Sequence, residues 1–160
     1  LAAQRAGTIG PDKVKQDRHL RFFGDQAGVA RHMQQHGHML QQRFAQVLQV
    51  FARRLRTLRN VHWSRPTGGY FITLWVPTGC AHRVVSLAAQ AGVRLTPAGT
   101  THCNGIDPED RCLRIAPSCL PAGDAARAAD IIAGCVLLAC ATAATAAAGD
   151  TSSNAQDIPP

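Results

Sequence analysis

An arginine within a short apolar strand is the residue of this sequence best suited to bind a substrate. The stretch PEDRCLRIAPS, residues 108–118, alternates as a strand does, with Leu113 on one face and Arg114 on the other. A guanidinium offers two parallel N–H donors that match the oxygens of a carboxylate, and it stays charged at any working pH. We therefore expect Arg114 to face a cleft and bind a carboxylate. Alternation alone leaves open a second interpretation, an edge-strand arginine paired with Asp110 or Glu109.

Histidine and cysteine residues give weaker signals for chemistry. Two groups of candidate zinc ligands stand close in the sequence: His32, His36 and His38, and His102, Cys103, Cys112 and Cys119. Zinc needs four ligands that converge tetrahedrally, and no recurrent spacing enforces this here, so we predict no metal site. Cys103 is a poor candidate nucleophile, because the adjacent His102 is expected to point away from it in an extended loop. The six cysteines contain no CxxC pair and are predicted to be free thiols of a cytoplasmic protein.

Composition and charge argue against two further functions, nucleic-acid binding and membrane insertion. The 160 residues are 46% hydrophobic and carry a formal net charge of +7, almost entirely from arginine. The basic stretch ARRLRTLR, residues 52–59, lacks the interleaved aromatic residues of a nucleic-acid-binding surface, so we predict a solvated face and no nucleic-acid partner. Residues 131–148 carry no charge, but their second half is alanine and threonine. We therefore expect a buried or partly frayed helix and no membrane partner.

Hydrophobic periodicity predicts an α/β fold. A long apolar stripe at steps of three, four and seven indicates a helix over residues 28–58, and Asp25 is placed to cap it. Further helices are predicted at 81–91 and from Pro121 onward. Short strands are predicted at 61–64, 70–76, 93–97 and 111–117. These elements predict a two-layer domain in which a small sheet of mixed direction packs against helices.

Three motifs in this order resemble the C-terminal small domain of class I/II, fold type I, pyridoxal-phosphate-dependent aminotransferases. The motifs are RPTGGYF, LTPAGTT and DPEDRCLRIAPS. The likeness is nearest to the MocR-like branch that includes aspartate aminotransferases, and it extends from about residue 8 to residue 141. By this resemblance the helix over 28–58 is the long interdomain helix. One departure lies after PAG, where a usual aromatic stretch is replaced by residues 101–105, THCNG.

The resemblance implies transamination with pyridoxal 5'-phosphate, and it implies roles for three residues. Arg114 matches the arginine that binds the α-carboxylate of the substrate. Phe71 corresponds to a position near the substrate, with a core aromatic as the alternative, and Gly99 begins a loop where backbone could approach the ligand. The lysine that holds the cofactor lies upstream in the family. We therefore expect no catalytic and no cofactor-binding residue in this chain, and we interpret Lys13 and Lys15 as surface residues.

The resemblance also predicts the organisation of the protein. Residues 1–27 would be a remnant of the segment that joins the large and small domains, 28–148 the small domain, and 149–160 a disordered tail. Because the first residue is Leu1, we expect a fragment, or a chain whose upstream part is missing. The complete enzyme would be a cytoplasmic homodimer with an upstream large domain. It would transfer an amino group between an amino acid, such as aspartate, and a 2-oxo acid. The alternative is a non-catalytic fragment or decayed gene copy that acts as an interaction module.

Overall fold

A computed structural model describes residues 12–121 and 123–153, with side chains described as far as residue 145. It contains four α-helices and three short strands, so the predicted α/β class is confirmed. The helices are α1 (Lys13–Phe23), α2 (Gln26–Arg54), α3 (Ala81–Gln90) and α4 (Ala125–Ser153). The strands are β1 (His62–Trp63), β2 (Ile72–Trp75) and β3 (Cys112–Ile115), and a 3₁₀ turn, Pro117–Cys119, follows β3.

The chain divides into two compact units, Leu1–Met39 and Leu40–Pro160, with the boundary inside α2. The domain boundaries expected at 27/28 and 148/149 stay predictions. Helix α4 is assigned through Ser153, five residues past the second of these boundaries. Residues 1–11 of the expected joining segment and 154–160 of the expected tail lie outside the described residues.

In the first unit, side-chain caps start both helices. The carboxylate of Asp12 accepts a hydrogen bond from the backbone N–H of Lys15 at 3.0 Å, and that of Asp25 accepts one from Gly28 at 2.7 Å. The predicted cap at Asp25 is thus confirmed. Gly28 is required by close packing, because a Cβ at this position would lie 1.7 Å from the carbonyl oxygen of Phe23.

The sheet has the order β1-β2-β3, and both pairings are antiparallel. The expectation of mixed strand direction was wrong, because the segment 93–97 forms no strand in the described structure. Its first donor is already used, since the N–H of Val93 bonds to the carbonyl of Ala88 at 2.8 Å. Its last residue, Pro97, has no N–H to donate. A five-residue segment without its two end donors is poorly suited to extend a ladder.

The core of the second unit lies on one face of the sheet. Alternate residues of β2 and β3 are at most 4% exposed and pack with the apolar sides of α2, α3 and α4: Ile72, Leu74, Leu113 and Ile115. The opposite face carries Thr73, Trp75 and Arg114, which are only half-buried. Helices therefore cover one side of the sheet and leave the Arg114 side more open.

Helix α4 supplies much of this core. In the described part of the chain, the segment Ala125–Thr145 is long and apolar enough to cross a membrane, with a mean hydropathy of 1.8. Its inward residues Ala125, Ala133 and Val136 are fully buried, and the helix packs against α3. The core helix of a globular domain passes the same test of length and composition. The packing therefore supports the predicted helix as a partly buried core helix, with 39% of its most apolar window buried.

Candidate carboxylate-binding site

Arg114 lies on the open face of the sheet, with its guanidinium over an aromatic ring. Residue 114 is opposite Thr73 in the β2–β3 ladder. The Cζ atom of Arg114 lies 4.6 Å from the centroid of the Phe71 ring, which is within the range of a cation–π contact. Phe71 is one residue before β2 and is 45% exposed. The two predicted site residues Arg114 and Phe71 are therefore brought together, and Phe71 is not a core aromatic.

The acids next to Arg114 in sequence are bound to other residues. The carboxylate of Asp110 makes two contacts with His82. It accepts a hydrogen bond from the backbone N–H of His82 and also contacts Nδ1 of the His82 ring. The carboxylate of Glu109 accepts a hydrogen bond from Nη1 of Arg111 at 2.8 Å. Among the described residues no carboxylate lies within ion-pair distance of Arg114. The alternative interpretation, pairing of Arg114 with Asp110 or Glu109, therefore does not hold.

The guanidinium of Arg114 also keeps a donor without a partner. Its Nε is shielded from solvent and makes no hydrogen bond within the described part of the chain. A buried N–H without an acceptor is unfavourable by about 1–3 kcal/mol, more when the group is charged. The site therefore holds a positive group whose hydrogen-bonding capacity is incompletely used.

A cavity of about 610 Å³ lies beside the edge strand β3. Residues 114–116 form one wall, residues 91–96 form another, and the first turns of α4 close it. Its lining includes three arginines, Arg94, Arg114 and Arg127, and one acid, Asp124. The concavity expected next to Arg114 is thus present, and its charge favours anions.

Gly99 has a role in packing its own loop. It has a φ of +88°, and a Cβ at this position would lie 2.1 Å from the carbonyl oxygen of Gly105. The space that a side chain would occupy is filled by protein backbone, so loop closure alone requires glycine here. The expected approach of a ligand to Gly99 stays a prediction.

Asp107 organises the same loop, and the sequence analysis missed it. Its carboxylate accepts backbone N–H bonds from Glu109 at 3.2 Å, Arg111 at 2.8 Å and Cys112 at 2.7 Å. Burial by itself would raise the pKa of Asp107, but these three bonds and the nearby His102 outweigh it, so the pKa is lowered. The Asp-Pro start of DPED is typical of a turn in which the side chain binds backbone donors further along. That signal could have identified Asp107.

The histidine and cysteine residues of the rival sites lie within the described residues. In the described ranges no group of three or more histidine, cysteine or acidic residues could hold a metal ion. The ring of His102 lies 3.2 Å from the hydroxyl of Thr101 and 3.8 Å from the carboxylate of Asp107. Cys103 is exposed. No hydrogen bond within the described part of the chain links Cys103 to a base.

The basic stretch 52–59 is the end of a helix and the turn that follows it. Arg53 and Arg54 both pair with Asp130, at 3.2 and 3.5 Å, and Leu55 is fully buried in the core. This part of the stretch is therefore engaged within the protein.

The cofactor implied by the resemblance does not fit the described residues. Holding it would need a lysine in a desolvated pocket, where burial lowers the lysine pKa. Lys13 and Lys15 are the only lysines of the chain, and both are exposed on α1. Lys15 also forms an ion pair with Asp12 at 3.5 Å. Neither lysine is placed to hold the cofactor.

Comparison with known proteins places these features in a family. The family model described as aspartate amino-transferase matches residues 3–148. A protein of Mycolicibacterium smegmatis that is named as an aminotransferase is 46% identical to this chain over 132 residues. These residues are 82% of this chain and 31% of that protein. The aspartate aminotransferase of Corynebacterium glutamicum is 45% identical over 133 residues, 83% of this chain and 31% of the relative. The chain thus spans about a third of the length of these relatives.

A solved structure gives the same result for the fold. The crystal structure of an aspartate transaminase from Corynebacterium glutamicum superposes with a TM-score of 0.78 at 43% identity, covering 86% of this chain and 32% of the other. The predicted likeness to an aminotransferase domain is confirmed. This chain belongs to the aspartate aminotransferase family.

Proposed function

We propose that this chain forms the substrate-carboxylate site of an aminotransferase, with Arg114 as the residue that binds the α-carboxylate. The observation that carries the proposal is the state of the Arg114 guanidinium. It is half-buried on the open face of the sheet and has no acidic partner among the described residues. Its Nε–H also lacks an acceptor. A carboxylate bound at the two Nη groups would supply the missing charge.

A bound carboxylate at Arg114 would orient the substrate. Two parallel N–H···O bonds fix both the position and the plane of the carboxylate, which a single-point ammonium contact does not. Because the carboxylate is attached directly to Cα, fixing it restricts where the Cα–H bond and the amino group can lie. Orientation of this kind lowers the barrier by removing rotational freedom before the reaction. In this proposal Arg114 acts through binding and orientation and transfers no proton.

The remaining features of a complete enzyme belong to the same proposal. It transfers an amino group between an amino acid and a 2-oxo acid, with aspartate and 2-oxoglutarate as the pair we favour, and it uses pyridoxal 5'-phosphate. The large domain supplies the cofactor and its lysine, and the enzyme is a cytoplasmic homodimer. The match of residues 3–148 to the aspartate amino-transferase model and the naming of a 45% identical relative as an aspartate aminotransferase support this choice.

The proposal can be tested with a chimaera. Residues 3–148 replace the matching segment of the Corynebacterium glutamicum aspartate aminotransferase, and the unaltered relative serves as control. We expect the chimaera to convert aspartate and 2-oxoglutarate into oxaloacetate and glutamate, measured by a coupled assay for oxaloacetate. A folded chimaera that binds the cofactor but does not transaminate would contradict the proposal. That outcome would favour the alternative, an interaction module without catalysis.

A further inference from the structure

We propose that Phe71 is a positioning residue that holds the Arg114 guanidinium in its carboxylate-binding orientation. The inference rests on the proposed function and gives Phe71 a role different from direct contact with substrate. It begins from the 4.6 Å separation between the Arg114 Cζ and the centroid of the Phe71 ring. At that separation the guanidinium is attracted to the negative face of the ring.

The register of the sheet brings these two side chains within reach. Thr73 lies opposite Arg114, so residue 71, two positions earlier and on the same face, is a diagonal neighbour of Arg114. Diagonal neighbours in an antiparallel pair are within reach when one side chain is aromatic and the other is long. The β2–β3 pairing therefore places Phe71 close enough to Arg114 for the observed contact.

A cation–π contact with the Phe71 ring uses no hydrogen-bond donor of the Arg114 guanidinium. The five N–H groups lie in the guanidinium plane, and because Nε is shielded from solvent we expect a carboxylate to bind the two Nη groups. An arginine side chain has several rotatable bonds, and a carboxylate can bind in the bidentate mode only when those bonds are set. The contact with Phe71 restricts these bonds before the substrate arrives, which reduces the ordering that binding must impose.

A purely structural role for Phe71 agrees less well with its surroundings. The ring is 45% exposed and lies outside the core, whereas the neighbouring Ile72 is fully buried. The same face of the sheet carries a second aromatic, Trp75, which stacks on His62 with ring centroids 4.8 Å apart. Trp75 thus provides a control on the same strand and face whose partner is not Arg114.

Kinetics of the chimaera test the proposal. Phe71→Leu removes the ring and keeps an apolar side chain, and we expect it to raise KM for the amino acid about tenfold while kcat changes less than threefold. Phe71→Tyr retains the ring and should restore KM, and Trp75→Leu should leave KM unchanged. In an Arg114→Lys background, Phe71→Leu should raise KM little further, because the guanidinium that Phe71 orients is absent. Equal effects of Phe71→Leu in both backgrounds would overturn the proposal.

A second measurement uses the full 160-residue chain and needs no activity. Protons held over a ring face resonate upfield, so the Arg114 Nε–H and side-chain signals in a ¹⁵N- and ¹³C-resolved NMR spectrum should be shifted and should return to ordinary values in Phe71→Leu. Unshifted signals in a folded chain would refute the contact and the proposal with it. If Arg114→Lys raises KM but Phe71→Leu does not, only the positioning role fails. If neither raises KM, the proposed function of Arg114 fails.

Discussion

Replacing Asp107 by asparagine should destabilise the domain far more than a surface Asp→Asn change. The Asp107 carboxylate accepts three backbone N–H bonds, from Glu109, Arg111 and Cys112, and is 9% exposed. Asparagine keeps one acceptor oxygen, and its amide NH₂ would face donors that had bonded to the second oxygen. The Asp107 Oδ2 atom binds two of the three donors, at 2.8 and 2.7 Å.

The expected loss in the free energy of unfolding follows from the two hydrogen bonds to Oδ2 of Asp107. A hydrogen bond to a charged group contributes about 1.5–3 kcal/mol. Two such bonds, reduced because water replaces part of the lost interaction at this half-buried loop, predict a loss of about 2–4 kcal/mol in the free energy of unfolding. Cys112 is the first residue of β3, so the same bonds hold the strand that carries Arg114.

Urea unfolding followed by far-UV circular dichroism measures this loss. The matched control is Asp130→Asn, which removes the exposed ion pairs with Arg53 and Arg54 and should cost less than about 1 kcal/mol. Two variants that unfold within about 0.5 kcal/mol of each other would refute the account of Asp107.

The pH dependence supplies a second test of the same residue. The pKa of Asp107 is lower in the folded chain than its ordinary value. Its contribution is therefore fully present above the unfolded pKa, about 4, and is lost as the pH falls towards the folded pKa. The wild-type chain should lose this contribution below about pH 4, whereas Asp107→Asn should lack this part of the acid dependence. Parallel stability curves for the two proteins from pH 6 to pH 2 would contradict the assignment.

Two further predictions concern the same loop and the thiols. Gly99→Ala places a Cβ against the Gly105 carbonyl and should cost about 3 kcal/mol or more in urea unfolding, whereas Gly105→Ala, at a φ of +74° with open space, should cost about 1–2 kcal/mol. Equal losses would show that backbone conformation alone matters. The exposed thiols of Cys103 and Cys119 should react first with an alkylating agent at pH 8, because burial raises the pKa of Cys80 and removes it from solvent. Mass spectrometry of the native chain that finds Cys80 alkylated as fast as Cys103 would contradict this.

Patterns of local sequence predicted most of the elements that build the site. The apolar stripe predicted the long helix over 28–58, and α2 runs over Gln26–Arg54. The stripe continued past the helix because Leu55 and Leu58 pack on the core from the turn that follows. Alternation alone placed Arg114 on the face opposite Leu113, and the observed burial of the two residues agrees.

The features that sequence patterns did not give depend on distant partners. The contact of Phe71 with Arg114 requires the β2–β3 register, which pairs residues 37 to 43 positions apart. The segment 93–97 has the composition of a strand, but two of its backbone groups cannot join a ladder. Asp107 lay inside a quoted motif, yet its role depends on where the chain folds back after the Asp-Pro turn. Local propensity does not encode these tertiary choices.

The most direct test of the central claim is the KM for the amino-acid substrate of the chimaera carrying Arg114→Lys. Lysine keeps the charge but cannot form the two parallel bonds, and loss of such a partner at a buried site costs about 2–5 kcal/mol. We predict a rise in KM of roughly thirtyfold or more. The control Arg111→Lys alters a nearby arginine already bound to Glu109 and should leave KM within about twofold. An unchanged KM in Arg114→Lys would remove Arg114 from the substrate site.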